Sequence, residues 1–475
     1  MFVGREAERA LLRNALRDDR SHFIAVYGRR RIGKTYLVRD AFDGHFTFQH
    51  AGLYKGKAKE QLFAFSASLK DAGYKEKTSF GSWLEAFEGL KDLIRSSTEK
   101  KKVIFIDELS WMDTRGSDLL MALESFWNGW ASARKDIVLI VCSSATSWIL
   151  SNVVHNKGGL YNRLTEQIRL TEFSLAECEK YTREAGLLLN RDQILQYYMV
   201  FGGVPYYWDF LQKGLSIPQN IDSILFAEDA PLKQEFDYLY ASIYNRPEEY
   251  LKIVEALAAR KAGMTREEII THSGIGNTGN LSRKLEELEY CGFIRKYESF
   301  GSKKKNALYQ LIDHFTLFYY QFLGKGVSDP HYWTNQINNP RVNTWKGLAF
   351  ERVCLRHIPE IKEKLGISGV LTQVNSWSCK ADPDKGLFGS QIDLLIVRKD
   401  QIIDLCEMKY ADSGYLINEK TDQSLRCKIS DLQRSIPAKY TIHPILVTCY
   451  GLVENTYSQN VQAVITLDDL FRERR

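Results

Sequence analysis

Two groups of side chains in this chain have the types and spacing for phosphate and metal chemistry. The first begins at Gly28-Arg29-Arg30-Arg31-Ile32-Gly33-Lys34-Thr35, a G-x-x-x-x-G-K-T run. Its glycines permit positive-φ turns that aim backbone N–H groups into one hollow. Lys34 reaches phosphate oxygens there, and Thr35 offers a hydroxyl to Mg2+. The run is a cradle for the phosphates of a nucleotide. Asp107 and Glu108 are adjacent acids further along. An acid at a strand end holds Mg2+ through water, the role read for Asp107, and a second acid polarises an attacking water, the role read for Glu108. Ser144, with Ser143 as its rival, is a polar group for the terminal phosphate or that water. The same serines also read as an ordinary helix N-cap. The second group is Glu351, Asp393, Glu407 and Lys409. Three carboxylates make an oxygen site for Mg2+ or Mn2+. A lysine beside them orients water or offsets charge on a phosphate in transfer.

The surrounding sequence supplies elements to carry these residues. An apolar run, Phe23 to Tyr27, reads as a buried strand before the cradle, and a helix continues from Lys34 through Val38. Val103 to Ile106 is a second apolar strand and ends at Asp107. Ile137 to Cys142 is a third, ending at Ser143, and Ile168 to Leu170 a fourth. Leu11, Leu12, Ala15 and Leu16 recur at helical spacing near the start. Glu60 to Ala72 and Trp83 to Ser96 also read as helices. In the C-terminal part, Gly347 to Glu351 lies on a helix. Gln391 to Val397 and Ile402 to Tyr410 read as two strands of a hairpin. Strand period two then places Glu407 and Lys409 on one face.

Residues 247–313 change character. Glu248 to Arg260, Thr265 to Thr271 and Asn277 to Tyr290 give three helical patterns. Phe293 to Phe300 and Ala307 to Ile312 give two strands around Gly301-Ser302-Lys303-Lys304-Lys305-Asn306. That order is a winged helix. One reading places Ser282, Arg283 and Lys284 in a DNA groove and the lysine wing on phosphates. The other makes the module an internal scaffold or protein contact, because Glu286, Glu287 and Glu289 share the helix.

A chain of 475 residues exceeds a single core. The composition, 44% hydrophobic and 26% charged, is that of a globular protein, and the net charge of +5 permits nucleic-acid binding without requiring it. Eight cysteines without a C-x-x-C spacing read as reduced, buried thiols of a cytoplasmic protein. The N-terminus carries no signal-peptide pattern, and no apolar run reaches the roughly 18 residues of a membrane span, so no membrane is expected.

Residues 1 to about 240 resemble the prokaryotic AAA+-related, STAND-like ATPases. The resemblance rests on Phe2-Val3-Gly4-Arg5-Glu6-x-Glu8, the cradle, Ile106-Asp107-Glu108, the Ser144 strand end, Arg163 before a strand, and Gly202-Gly203-Val204-Pro205. It implies ATP with Mg2+ as ligand, a helical lid whose turn is the G-G-x-P segment, and a homo-oligomer in which Arg163 is an arginine finger. Arg163 reads equally as a surface arginine, and the G-G-x-P segment as a helix–helix corner. Residues 345–450 resemble the PD-(D/E)XK nuclease-like fold, carried by Glu351, Asp393, Glu407 and Lys409, with Gln391-Ile392-Asp393 lacking the proline of that pattern.

The expected architecture is α/β. A P-loop parallel sheet occupies 1–172 and a helical lid 173–244. A winged helix follows at 245–322, and an α/β PD-(D/E)XK nuclease-like domain at 341–475. The expected function is an ATP-hydrolysing, ATP-regulated DNA-binding protein with a metal-dependent nuclease-like domain. The competing expectation is a signalling or scaffold ATPase whose last two modules bind protein.

Overall fold

The computed structural model describes residues 3–76, 79–156, 158–244, 246–277, 279–301, 307–324, 326–336 and 339–473. The lysine wing, Lys303 to Lys305, lies outside them. The chain divides into two compact units, Met1–Thr171 with Ser242–Asn245, and Glu172–Ala241 with Arg246–Arg475.

The first unit is built on five parallel strands. These are β1 (His22–Tyr27), β2 (Phe48–Ala51), β3 (Lys102–Asp107), β4 (Ile137–Ser143) and β5 (Glu166–Arg169), in the order β2-β3-β4-β1-β5. Parallel sheets are covered on both faces, so their strands are apolar throughout. Phe23, Ile104, Leu139 and Val141 point to one face, where the helices Ala58–Asp71, Trp83–Ser96 and Leu119–Gly129 supply Phe65, Phe87 and Phe126. Ile24, Val26, Phe105 and Ile140 point to the other, covered by Leu12, Leu37 and Val38 from Glu6–Arg17 and Lys34–Ala41. The order places the ends of β1, β3 and β4 side by side, and the cradle, the Asp107-Glu108 turn and the Ser143-Ser144 turn start there.

Two details of this unit differ from the sequence expectation. Leu12 and Ala15 are buried, but Leu11 and Leu16 stay 39% and 36% exposed, because a helix on a flat sheet buries one narrow stripe. The strand β2 was not foreseen: only Phe48 and His50 face inward, so its signal is two apolar-facing positions. Burial pushes the His50 imidazole down to about 4, and its Nδ1 lies 2.9 Å from Ser68 Oγ.

The second unit holds the helices Leu175–Glu184 and Arg191–Phe201, then Pro247–Ala258, Arg266–Ser273 and Gly279–Tyr290. A three-stranded antiparallel sheet accompanies the last three: β6 (Met264–Thr265), β7 (Ile294–Tyr297) and β8 (Leu308–Leu311), ordered β6-β8-β7. A five-stranded mixed sheet follows, β9 (Thr372–Ser378), β10 (Gln391–Arg398), β11 (Ile402–Lys409), β12 (Thr441–Thr448) and β13 (Ala463–Ile465). β9, β10 and β11 are antiparallel neighbours, and β11, β12 and β13 run parallel. The helix Glu419–Ser435 connects β11 to β12 and packs Leu425 and Leu432 on Leu395, Ile403 and Leu405. The aromatic stretch after residue 314 forms a ring cluster in which Trp333 lies 5.0 Å from Phe318, 5.0 Å from Phe322 and 5.5 Å from Trp345.

Trp333→Ala is expected to destabilise the chain by about 3–5 kcal/mol, whereas Leu188→Ala at an exposed position should stay within about 0.5 kcal/mol. Urea midpoints compare the two. His50 is protonated in the unfolded chain below about 6.5 and resists protonation when folded until about 4. Folding therefore loses stability as pH falls through that window, and His50→Gln should reduce the fall in urea midpoint between about pH 7 and about pH 5.

Candidate nucleotide site and acidic pocket

Gly28 ends β1 with φ 147°, and a Cβ there would stand 2.3 Å from the Leu170 carbonyl oxygen. Only glycine fits this exit. Arg31 and Gly33 follow with φ 72° and 87°, so the loop turns back on itself before the helix Lys34–Ala41. Ile32 is buried in the core and anchors the loop. Arg29 is buried, while Arg30 and Arg31 are half-buried. Lys34 is buried, and its ammonium donates to the carbonyls of Gly28 and Arg29, each at 3.0 Å. Those two carbonyls hold the ammonium in the hollow that phosphate oxygens would fill.

Thr35 Oγ1 donates to Asp107 Oδ2 at 2.6 Å, and the Glu108 amide donates to Asp107 Oδ1 at 2.9 Å. Asp107 is therefore fixed at both oxygens by uncharged donors. Hydroxyl and carboxylate, side by side at the cradle's helix, are the oxygen ligands Mg2+ takes with a nucleotide, so the residues fit that group. Glu108 sits at φ 46°, in the left-handed region, which turns its side chain back from the strand. Its Oε2 accepts from the Ser144 amide at 2.9 Å and the Ser144 hydroxyl at 2.8 Å. Ser143 points elsewhere: its hydroxyl bonds Ser110 Oγ at 2.9 Å and accepts from the Ala145 amide. Of the two serines, Ser144 is the one at Glu108.

Arg163 is exposed in the turn before β5, with its amide bonded to the Leu160 carbonyl. Gly202 and Gly203 lie in the second unit. Gly202 ends the helix Arg191–Phe201 at φ 62°, and a Cβ on Gly203 would overlap the Phe173 carbonyl. Gly52 went unnoticed in the sequence. Its amide donates to the Asp107 carbonyl at 3.0 Å, and a Cβ there would lie 2.7 Å from the Glu108 carbonyl. The signal was a glycine directly after the inward-facing pair of β2.

In the second unit Glu351, Asp393, Glu407 and Lys409 line one cavity of about 190 Å3, together with Lys261 and Lys428. Glu351 is on the helix Pro340–Arg356, Asp393 on β10, and Glu407 and Lys409 on β11. The register between β9 and β10 shifts between Ile392 and Leu395. This bulge keeps Ile392 and Leu395 in the same apolar cluster and frees Asp393 from it. Gln391 Nε2 donates to Asp393 Oδ1 at 2.8 Å. Glu407 is gripped by two ammonium groups, Lys409 at 2.8 Å and Lys428 at 2.7 Å. Burial opposes its charge, but the two lysines outweigh it and hold its pKa below the usual range. Burial and the Asp393 charge push Glu351 upward despite Lys261 at 2.7 Å. No group of three acid, histidine or cysteine side chains among the described residues is arranged to hold a metal ion. The three carboxylates share a cavity, each tied to a protein donor.

The helix Gly279–Tyr290 corrects one expectation. Ser282 and Arg283 are exposed, but Lys284 is 3% exposed, 2.7 Å from Glu249 and over the Tyr250 ring. A buried, paired lysine does not reach a groove; helical spacing places it with Leu281, Leu285 and Leu288 on the inward face.

Residues 2–208 match the model of a family described as an ATPase domain predominantly from Archaea. The chain is 24% identical over 425 residues to the uncharacterized protein MJECL04 of Methanocaldococcus jannaschii, covering 87% of this chain and 88% of that one. Among solved structures it is similar to the Walker-type ATPase PABY2304 of Pyrococcus abyssi, at 16% identity and TM-score 0.47, over 67% of this chain and 96% of that one. It is also similar to the ORC2 protein of Aeropyrum pernix, at 16% identity and TM-score 0.41, over 66% and 91%. Residues 2–208 thus match an ATPase domain, and the cradle within them has the geometry of a nucleotide-phosphate site. Among the described residues no helix is long and apolar enough to cross a membrane.

Lys34→Ala is expected to abolish ATP turnover. Ser144→Ala removes one of two donors to Glu108 and should lower kcat by about tenfold or more with little change in KM, since a water-orienting acid acts in the transition state. Steady-state ATP hydrolysis checks both.

Proposed function

We propose that the chain is an ATP-hydrolysing switch whose second unit acts on DNA through a metal-dependent, nuclease-like pocket. The ATPase half is supported most directly by the Thr35–Asp107 bond, which joins the phosphate cradle to the metal-holding acid. In this reading Lys34 binds the terminal phosphates, and Thr35 and Asp107 hold Mg2+. That ion, when bound, supplies positive charge between phosphate oxygens. Glu108, released from Ser144, orients the attacking water. Arg29, Arg30, Arg31, Ile32 and Gly33 complete the cradle with Gly28. Arg163 completes a neighbour's site in a homo-oligomer, which its exposure permits. Residues 173–244 are the lid, residues 245–322 a winged helix, and the cytoplasm the compartment.

The nuclease-like reading rests on the shared cavity of Glu351, Asp393, Glu407 and Lys409. A helix-borne acid, a strand-borne aspartate at a bulge and an E-x-K hairpin strand are the parts of a PD-(D/E)XK site. As arranged, the three acids do not fit a metal ion among the described residues, so Mg2+ or Mn2+ enters this reading through the resemblance alone, and Lys409 would place a water or offset phosphate charge. Two observations favour the scaffold alternative: Lys284 is buried, and lysines already neutralise Glu351 and Glu407.

Cleavage of linear, supercoiled and single-stranded DNA with Mg2+ or Mn2+, with and without ATP, separates the readings. Cutting by the wild type and none by Lys409→Ala is expected. The absence of cutting on every substrate, with no salt-dependent DNA binding, overturns the DNA reading in favour of the scaffold.

A further inference from the structure

The turn after β2 carries side chains that the nucleotide site does not use. Leu53-Tyr54-Lys55-Gly56-Lys57-Ala58-Lys59 sets three lysines at alternate positions behind a tyrosine. Tyr54 is 46% exposed, and Lys55, Lys57 and Lys59 are exposed as well. Among the described residues none of the three ammonium groups is in an ion pair or a hydrogen bond. The nearest acid in sequence, Glu60, is turned to the backbone, where its Oε2 accepts from the Lys57 amide at 2.8 Å.

The turn is held in one shape from beneath. Gly52 fixes its start through the bond to the Asp107 carbonyl. The Gly56 amide closes it on the Leu53 carbonyl at 3.2 Å, with Lys55 at φ 57°, a left-handed position that lysine seldom takes. Gln61, buried in the helix Ala58–Asp71, clamps it. Its Oε1 accepts from the Leu53 amide at 2.9 Å, and its Nε2 donates to the Leu53 carbonyl at 2.7 Å and the Trp111 carbonyl at 2.8 Å. One buried amide therefore ties the Tyr54 turn to the short helix Leu109–Met112 that follows Glu108. The two rings meet there, with the Tyr54 and Trp111 centroids 5.3 Å apart and the planes inclined at 59°. The Lys55 ammonium lies 5.1 Å from the Tyr54 centroid, so ring and charge are presented together.

We propose that this turn is a binding site for single-stranded nucleic acid, with a base stacked at the Tyr54–Trp111 corner and backbone phosphates on Lys55, Lys57 and Lys59. It belongs to the first unit and is separate from the DNA contact assigned above to the second. Aromatic rings stack any base, and lysines beside them neutralise the strand's phosphates. A duplex keeps its base faces against one another, whereas a single strand offers them to an exposed ring. An acidic polypeptide would match the lysines but give the ring pair no role. The Gln61 clamp sets rings and charges in place before binding, so little ordering remains to oppose it.

Fluorescence anisotropy of a labelled oligo-dT, titrated with the full chain over a range of salt concentrations, tests this. The wild type is expected to bind, more weakly as salt rises. Tyr54→Ala should weaken binding about tenfold, while Tyr54→Phe, which keeps the ring, should match the wild type. Lys55→Gln, Lys57→Gln and Lys59→Gln combined should also weaken binding and reduce the logarithmic salt slope by about 2. All these positions are exposed, so an unchanged urea midpoint in each variant shows that the fold is kept. Absence of oligo-dT binding by the wild type at low salt overturns the proposal. Binding that Tyr54→Ala and the lysine variant leave unchanged also overturns it, and leaves the DNA contact of the second unit standing. Polyglutamate binding as tight as that of oligo-dT, and indifferent to Tyr54→Ala, overturns it in favour of an acidic protein partner.

Discussion

A single hydrogen bond ties together the chemistry of the first unit. Thr35 opens the helix after the phosphate cradle, and Asp107 ends a strand 72 residues later; their side chains meet at 2.6 Å. The bond exists because the sheet order β2-β3-β4-β1-β5 brings the ends of β1 and β3 to one edge of the sheet, separated by β4 alone. Everything that follows uses that edge. Gly28 and Gly52 let two backbones pass where a Cβ would collide. Glu108 turns through the left-handed region and lands on Ser144 at the end of β4. Burial of β1, β3 and β4 on both faces seats the platform between two apolar layers.

The two acidic sites are held by opposite kinds of partner. Asp107 and Glu108 receive hydroxyl and amide donors, which fix geometry without bringing a counter-charge. Such a site is prepared for a cation and a phosphate. Glu351 and Glu407 receive ammonium groups from Lys261, Lys409 and Lys428, which fix geometry and cancel charge. These pairs join a mostly buried carboxylate to a lysine that is in part exposed, so solvent screens part of their Coulomb energy. The first site is poised by its partners, and the second is restrained by them.

The cradle, the four apolar strands around it and the acids at their ends were legible because each is a local pattern: a glycine spacing, an apolar run, a carboxylate at its end. The E-x-K strand and the helix bearing Glu351 were legible for the same reason. The partners were not. Lys261 and Lys428 reach the pocket across 90 and 21 residues, and nothing in their neighbourhoods marks them. Lys284 was misplaced because a lysine on an amphipathic helix is ordinarily outward, and only its pairing with Glu249 permits burial. The bulge at Ile392 to Leu395 cannot be read from alternation, which it interrupts. Strand β2 was missed because two inward residues are too few for a period.

The central claim is that Thr35 and Asp107 form the seat through which Mg2+ strengthens ATP binding. Calorimetric titration of ATP with Mg2+ and with EDTA, on the wild type and Asp107→Asn, tests it directly. The account predicts that removing Mg2+ weakens ATP binding to the wild type, while Asp107→Asn binds ATP equally with and without the ion. A full Mg2+ dependence retained in Asp107→Asn would contradict it.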